Sequence, residues 1–128
     1  MSREVITTPS APAAIGPYSQ AIKANGLVFV SGQGPLIPGT KQFAGDTVAA
    51  QTEQVLKNIA AILQAAGTDM AHVVKVTVLL ADIATFAEMN AVYSQFFPAN
   101  PPARTTFAAR DLPMKILVEI DAIAVMPE

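Results

Sequence analysis

The chain has no cysteine and only one histidine in its 128 residues. Without cysteine there is no disulfide framework, no thiolate nucleophile and no sulfur ligand for a metal. The histidine, His72, stands before a predicted strand with no acid or thiol expected near it. That argues against a metal centre and against a Ser-His-Asp triad. Charge is scarce as well: Asp, Glu, Lys and Arg make up 14% of the residues and the formal net charge is −2. The Lys and Arg are scattered singly, so nothing resembles a basic stripe that tracks a phosphate backbone, and no nucleic-acid partner is expected. No apolar run approaches the ~18 residues of a membrane span, so no membrane partner is expected either. The opening MSREVITTPSAPAAIGPY carries Arg3, Glu4 and three prolines instead of an apolar signal core, which makes the cytoplasm the expected compartment. SGQGP (Ser31 to Pro35) contains GxG, but Pro35, Pro38 and Gly39 exclude the helix that a dinucleotide or phosphate loop must open. No cofactor is expected.

What the chain does have is apolar surface, 52% of its residues. At this length it forms a single domain, residues 1–128, with a core that needs no staples. In a small domain that does not enter a membrane, the apolar excess goes to subunit interfaces, so a homo-oligomer is expected.

Val5 and Ile6 open a short strand, and Pro9, Pro12 and Pro17 hold the following segment out of helix. Asn25-Gly26 between Ala21–Ala24 and Leu27–Ser31 predicts a tight hairpin. GQGPLIPGTKQFAG reads as loop. A helix is predicted from Asp46, as N-cap, to Ala66, with Gly67 as its stop. Val48, Val55, Ile59, Ile62, Leu63 and Ala66 form its apolar stripe, with Gln51 and Asn58 mostly off it. Val73 to Leu80 is a β-branched strand. Asp82 or Thr85 begins a second helix bearing Phe86, Met89, Tyr93 and Phe96 or Phe97, ended by Pro98; Arg104–Ala109 and Ile116–Val125 are the last strands. This order predicts an α+β fold with both helices on one face of a sheet.

Alternation along the last strand puts Ile116, Val118, Ile120, Ala122 and Ala124 under the helices, and Leu117, Glu119, Asp121, Ile123 and Val125 on the other face. In the preceding strand Arg104 shares a side with Thr106 and Ala108, and the expectation is that it lies on the uncovered face with Glu119. Leu27 and Phe29 populate that face too, so it reads as a surface that another subunit covers. Arg104 and Glu119 are then a structural ion pair or a solvated rim, or, on the sharper reading, a small anionic site. Arginine's fixed fork suits a small carboxylate, and a glutamate flanked by Val118 and Ile120 suits acid/base work on water. Tyr18, Ser31, Thr105 and Thr106 add hydroxyls.

Three stretches, APAAIGPYSQA (Ala11 to Ala21), FVSGQGP (Phe29 to Pro35) and PPAR with VEIDAIAV (Pro101 to Arg104, Val118 to Val125), resemble the RidA (YjgF) family. The likeness covers nearly the whole chain. It implies a chorismate-mutase-like α+β subunit assembled as a homotrimer with clefts between subunits. It further implies a cofactor-free 2-iminobutanoate/2-iminopropanoate (enamine/imine) deaminase, acting on products of pyridoxal-phosphate enzymes such as 2-aminoacrylate. By the same resemblance Arg104 binds the substrate carboxylate and Glu119 positions water. Tyr18, Ser31, Gly32 and Asn90 fall on the family's site positions, and beyond the resemblance the amides near Gly32 and Thr106 are expected to assist. Thr105-Thr106 stands where many members have a small residue and cysteine, which touches substrate preference. The alternative is a non-catalytic trimer that binds small carboxylates or a partner protein through the same cleft.

Overall fold

The structure is a computed structural model that describes residues 2–128. Its hairpin forms where Asn25 and Gly26 both take left-handed φ values, 55° and 75°, which lets strands β2 (Ala21–Ala24) and β3 (Leu27–Gln33) pair through a two-residue turn. Strand β1 (Glu4–Ile6) adds to β2 in antiparallel fashion. Between β1 and β2 the proline-rich segment is held by one side chain, Gln20, which is 3% exposed. Its Nε2 donates to the carbonyls of Thr8, Ala11 and Pro12, and its Oε1 accepts from the Thr8 N–H at 2.7 Å. Gln20→Ala leaves those backbone groups, of which the Ala11 carbonyl is buried and the others partly so, without this partner and is expected to cost about 1–3 kcal/mol. A lower urea midpoint at unchanged m, measured at fixed protein concentration, checks this.

Helix α1 spans Val48–Ala66. Thr47 rather than Asp46 is its N-cap, accepting from the Ala50 N–H at 3.1 Å, and Gly67 ends it at φ 94°. All six residues of the predicted stripe are buried. Gln51 and Asn58, read as lying off the stripe, are buried too. Their amides serve backbone that the core encloses: Gln51 Oε1 accepts from the Leu117 N–H, and Asn58 Nδ2 donates to the Gly34 and Leu36 carbonyls. Helix α1 leads through a short turn to β4 (Val73–Leu80); in that turn His72 Nδ1 lies 2.7 Å from Asp69 Oδ1, correcting the expectation that no acid stands near the histidine. The hydrogen bond from His72 holds the exposed Asp69 carboxyl below its usual value. Asp82 caps a turn at Ile83–Thr85, and helix α2 follows at Phe86–Phe96.

The last strands, β5 (Ala103–Ala108) and β6 (Val118–Val125), complete a six-stranded sheet in the order β1-β2-β3-β6-β4-β5. Among the described residues only β4 and β5 pair in parallel; β3 and β4 each pair antiparallel to β6 and so run alike. The connections β3-α1-β4 and β4-α2-β5 therefore both join like-directed strands while stepping the same way across the sheet. Crossovers of one hand then place both helices on the same face. Under them Val28, Val30, Val76, Val78, Val118 and Ile120 pack against Leu56, Ile59, Leu63 and Met89. At about 1.5–3 kcal/mol for each large apolar side chain taken from water, this layer is the main stabilising feature of the subunit.

The other face is bare. Val5, Phe29 and Phe107 on it are 56%, 43% and 48% exposed, far from core values. Glu119 lies on this face, as parity predicts. Arg104 does not. In the parallel β4–β5 pair Arg104 stands beside Val76, a core residue under the helices, so Arg104 and Thr106 face α2 while Thr105 and Phe107 face outward. Consistent with this, Thr105 Oγ1 accepts from Lys75 on the open side at 2.8 Å.

Candidate functional site

Two half-sites stand on opposite faces of the sheet. The first is built by an irregularity in β3. Val30 pairs with Ala122 and Gln33 with Ile120, so Ser31 and Gly32 together oppose Asp121 alone. This is a β-bulge, a device that re-aims backbone and often borders functional sites. It brings Gly32 against Glu119 so closely that a Cβ there would overlap Oε2 and lie 3.1 Å from Cδ. A side chain at this position would push the carboxylate from where it stands. Reading the strand as ending at Ser31 missed the bulge, although a glycine within a strand pattern is its signal.

Around Glu119, Tyr18, Gly32, Pro113 and Ile116 line a cavity of about 200 Å³, with Ser31 beside it. Ser31 Oγ donates to the Ser19 carbonyl at 2.6 Å and the Ser31 N–H donates to the Gln20 carbonyl, tying the Tyr18 loop to the bulge. Tyr18 Oη accepts from the Ile15 N–H at 3.3 Å, so the ring is a wall whose hydroxyl can still donate. Among the described residues no cation pairs with Glu119. Partial burial, with Asp121 nearby adding to it, pushes its carboxyl above the ordinary glutamate value.

The second half-site is on the helix side of the edge strand β5. Arg104 Nη1 donates to Asn90 Oδ1 at 2.8 Å. Its guanidinium carbon lies 4.7 Å from the Tyr93 ring centroid and 5.5 Å from that of Phe86. Two aromatic faces and an amide thus hold the cation in place of a carboxylate, leaving its remaining donors for an anion. Pro101, Pro102 and Ser94 help line the adjoining cavity of about 350 Å³. Burial raises the Tyr93 hydroxyl above its usual pKa, opposed by the Arg104 charge. Tyr93 Oη and Thr106 Oγ1 are buried and have no hydrogen-bond partner among the described residues. Asn90, expected to line the site, is placed by the structure as the partner of Arg104. Phe86 and Tyr93, placed on the second helix by the sequence without a site role, form the bed of the guanidinium, although Tyr93 is only 5% exposed.

So the expected residues Tyr18, Ser31, Gly32 and Glu119 come together, and Arg104, Asn90 and Thr106 come together elsewhere. The two charges make no ion pair within the subunit. One copy of the chain therefore keeps apart a carboxyl whose pKa is raised and a guanidinium that has no ion-pair partner among the described residues.

A sequence model of the family described as Endoribonuclease L-PSP matches residues 8–126. The chain is 52% identical to Reactive Intermediate Deaminase A, chloroplastic, of Arabidopsis thaliana over 126 residues, covering 98% of this chain and 67% of that protein. It is 46% identical to the 2-iminobutanoate/2-iminopropanoate deaminase of Homo sapiens over 123 residues, covering 96% and 90%. Its fold superposes on the crystal structure of the YjgF gene product from E. coli with a TM-score of 0.92 at 42% identity, covering 97% and 99% of the two chains. The chain therefore belongs to the Endoribonuclease L-PSP family, that of RidA and YjgF.

Proposed function

We propose that this chain is a 2-iminobutanoate/2-iminopropanoate (enamine/imine) deaminase, releasing 2-keto acids and ammonia from reactive products of pyridoxal-phosphate enzymes such as 2-aminoacrylate. The observation that carries the reading is the separation of Arg104 and Glu119 on opposite faces of one sheet, each lining an open cavity and neither in an ion pair among the described residues. Two copies complete one site when the β5–α2 edge of one meets the bare face of the next. Such a contact joins unlike surfaces, and contacts of that kind close into rings when the rotation between copies closes. A homotrimer is the ring proposed, and its interface covers the exposed Phe29 and Phe107.

In that cleft Arg104 takes the substrate carboxylate through the donors Asn90 leaves free, with amides near Gly32 and Thr106 assisting. The imine carbon then lies toward Glu119 of the adjacent copy. Glu119 accepts a proton from water as the water oxygen bonds to that carbon and the C=N π electrons move to nitrogen, and it then returns that proton to the nitrogen. In the resulting tetrahedral amino alcohol Glu119 takes the hydroxyl proton as C=O forms and passes it to the departing nitrogen, which leaves as ammonia. An enamine such as 2-aminoacrylate enters after protonation at carbon to its imine.

Gly32→Ala is expected to lower kcat about 10²-fold with the oligomer intact, because the added Cβ displaces the carboxylate from the water it orients. Steady-state kinetics beside size-exclusion chromatography check this. The function itself is tested by ketoacid release when the protein is added to imines generated in situ by an amino-acid oxidase. Acceleration supports a deaminase. No acceleration by a properly assembled oligomer returns the reading to a non-catalytic trimer that binds small carboxylates or a partner protein.

A further inference from the structure

We infer that the Glu119 site continues into an apolar subsite that takes the side chain of the 2-imino acid, making the preferred substrates those with leucine- or methionine-sized apolar side chains. The inference rests on the carboxylate-binding cleft proposed above and adds what occupies its far end. The cavity at Glu119, about 200 Å³, adjoins a second of about 540 Å³, and the two share Pro12, Ala13, Ile15, Leu36 and Met114 as a common wall. The first cavity alone is smaller than most organic-ligand sites, whereas the second falls within their usual range of about 300–1,000 Å³. A two- or three-carbon acid fills only the Glu119 end. The common wall offers carbon and no titratable group; Thr40 and Lys41 stand in the second cavity beyond it.

Two further observations concern this wall. Ile15 and Met114, both apolar, are 72% and 49% exposed at the mouth of the two cavities they line. The Tyr18–Ile15 hydrogen bond orients the first loop. In the second, Met114 and Lys115 have consecutive left-handed φ values of 58° and 57°, conformations that side-chain-bearing residues adopt with strain. Strain of this kind is kept where it places a side chain for use, here Met114 over the junction of the two cavities.

The experiment compares kcat/KM for imines generated from alanine and from leucine, on wild type and on Met114→Asn. Asparagine tolerates the left-handed conformation and removes the apolar wall. One methylene in an apolar pocket discriminates by about 10–200-fold, so wild type is expected to favour the leucine imine by about tenfold or more, and Met114→Asn to bring the ratio near one. A ratio near one in wild type, or one that Met114→Asn leaves unchanged, overturns the subsite. Calorimetry with wild type alone gives an independent reading, in which 4-methyl-2-oxopentanoate is expected to bind about tenfold or more tighter than pyruvate. Equal affinities overturn the subsite; tighter binding of the branched acid without turnover of any imine upholds it and overturns the deaminase reading.

Discussion

Arg104→Ala is expected to lower kcat/KM for every 2-imino acid by about 10²–10⁴-fold, the loss of two charge-assisted hydrogen bonds at about 1.5–3 kcal/mol each. The subunit should keep its fold, because Arg104 sits on an edge strand and its partners are two ring faces and one amide. Arg104→Lys should recover only part of the loss, since a lysine ammonium cannot reproduce the planar fork that Asn90 and the aromatic rings hold in register. Initial rates against imine concentration, with circular dichroism on each variant, measure both effects. A fully active Arg104→Ala would remove the guanidinium from the reaction.

Glu119→Gln is expected to lower kcat by about 10²–10⁴-fold while ketoacid binding persists, because the amide fills the same space but cannot take a proton from water. The pH dependence carries the same information. The folded-state pKa of Glu119 is raised by burial, and the carboxylate is the active base. Activity should therefore fall on the acid side with an apparent pKa above the ordinary glutamate value, and the variant should lack that limb. Stability has the opposite sense. A raised carboxyl binds more protons folded than unfolded, so its contribution favours the fold below the unfolded pKa and is lost as pH rises through the folded one. Glu119→Gln should flatten that decline in thermal unfolding.

The two variants together test where the site is made. If Arg104 of one copy serves Glu119 of the next, equimolar subunits of Arg104→Ala and Glu119→Gln, refolded together into rings, have both functional groups at about one site in four. About a quarter of wild-type activity should return from two inactive proteins. If each subunit used its own pair, none would.

Much of the architecture is legible in local chemistry. Asn25-Gly26 sets the hairpin because both residues accept left-handed φ, Gly67 ends α1 for the same reason, and the Val73–Leu80 strand follows from its β-branched run. The stripe of α1 follows from 3.6-residue periodicity. Three features escaped because each depends on a distant partner. Gln51 and Asn58 are polar at buried positions, since Leu117 and the Gly34–Leu36 loop bring unpaired backbone groups to them. Gln20 looks like a surface residue until the proline segment folds over it. The bulge at Ser31–Gly32 exists only against β6.

The sequence by itself determined the kinds of element, their order, the alternation of each strand and the residues able to do chemistry, because these depend on torsional preference and spacing of neighbours. It did not decide which face of β5 meets the helices. Alternation separates Arg104 from Thr105 but is symmetric between the two sides; the parallel register of Arg104 with Val76, imposed by the crossover through α2, breaks that symmetry. Only the tertiary structure therefore placed the guanidinium on Asn90 and Tyr93 and left Glu119 alone across the sheet.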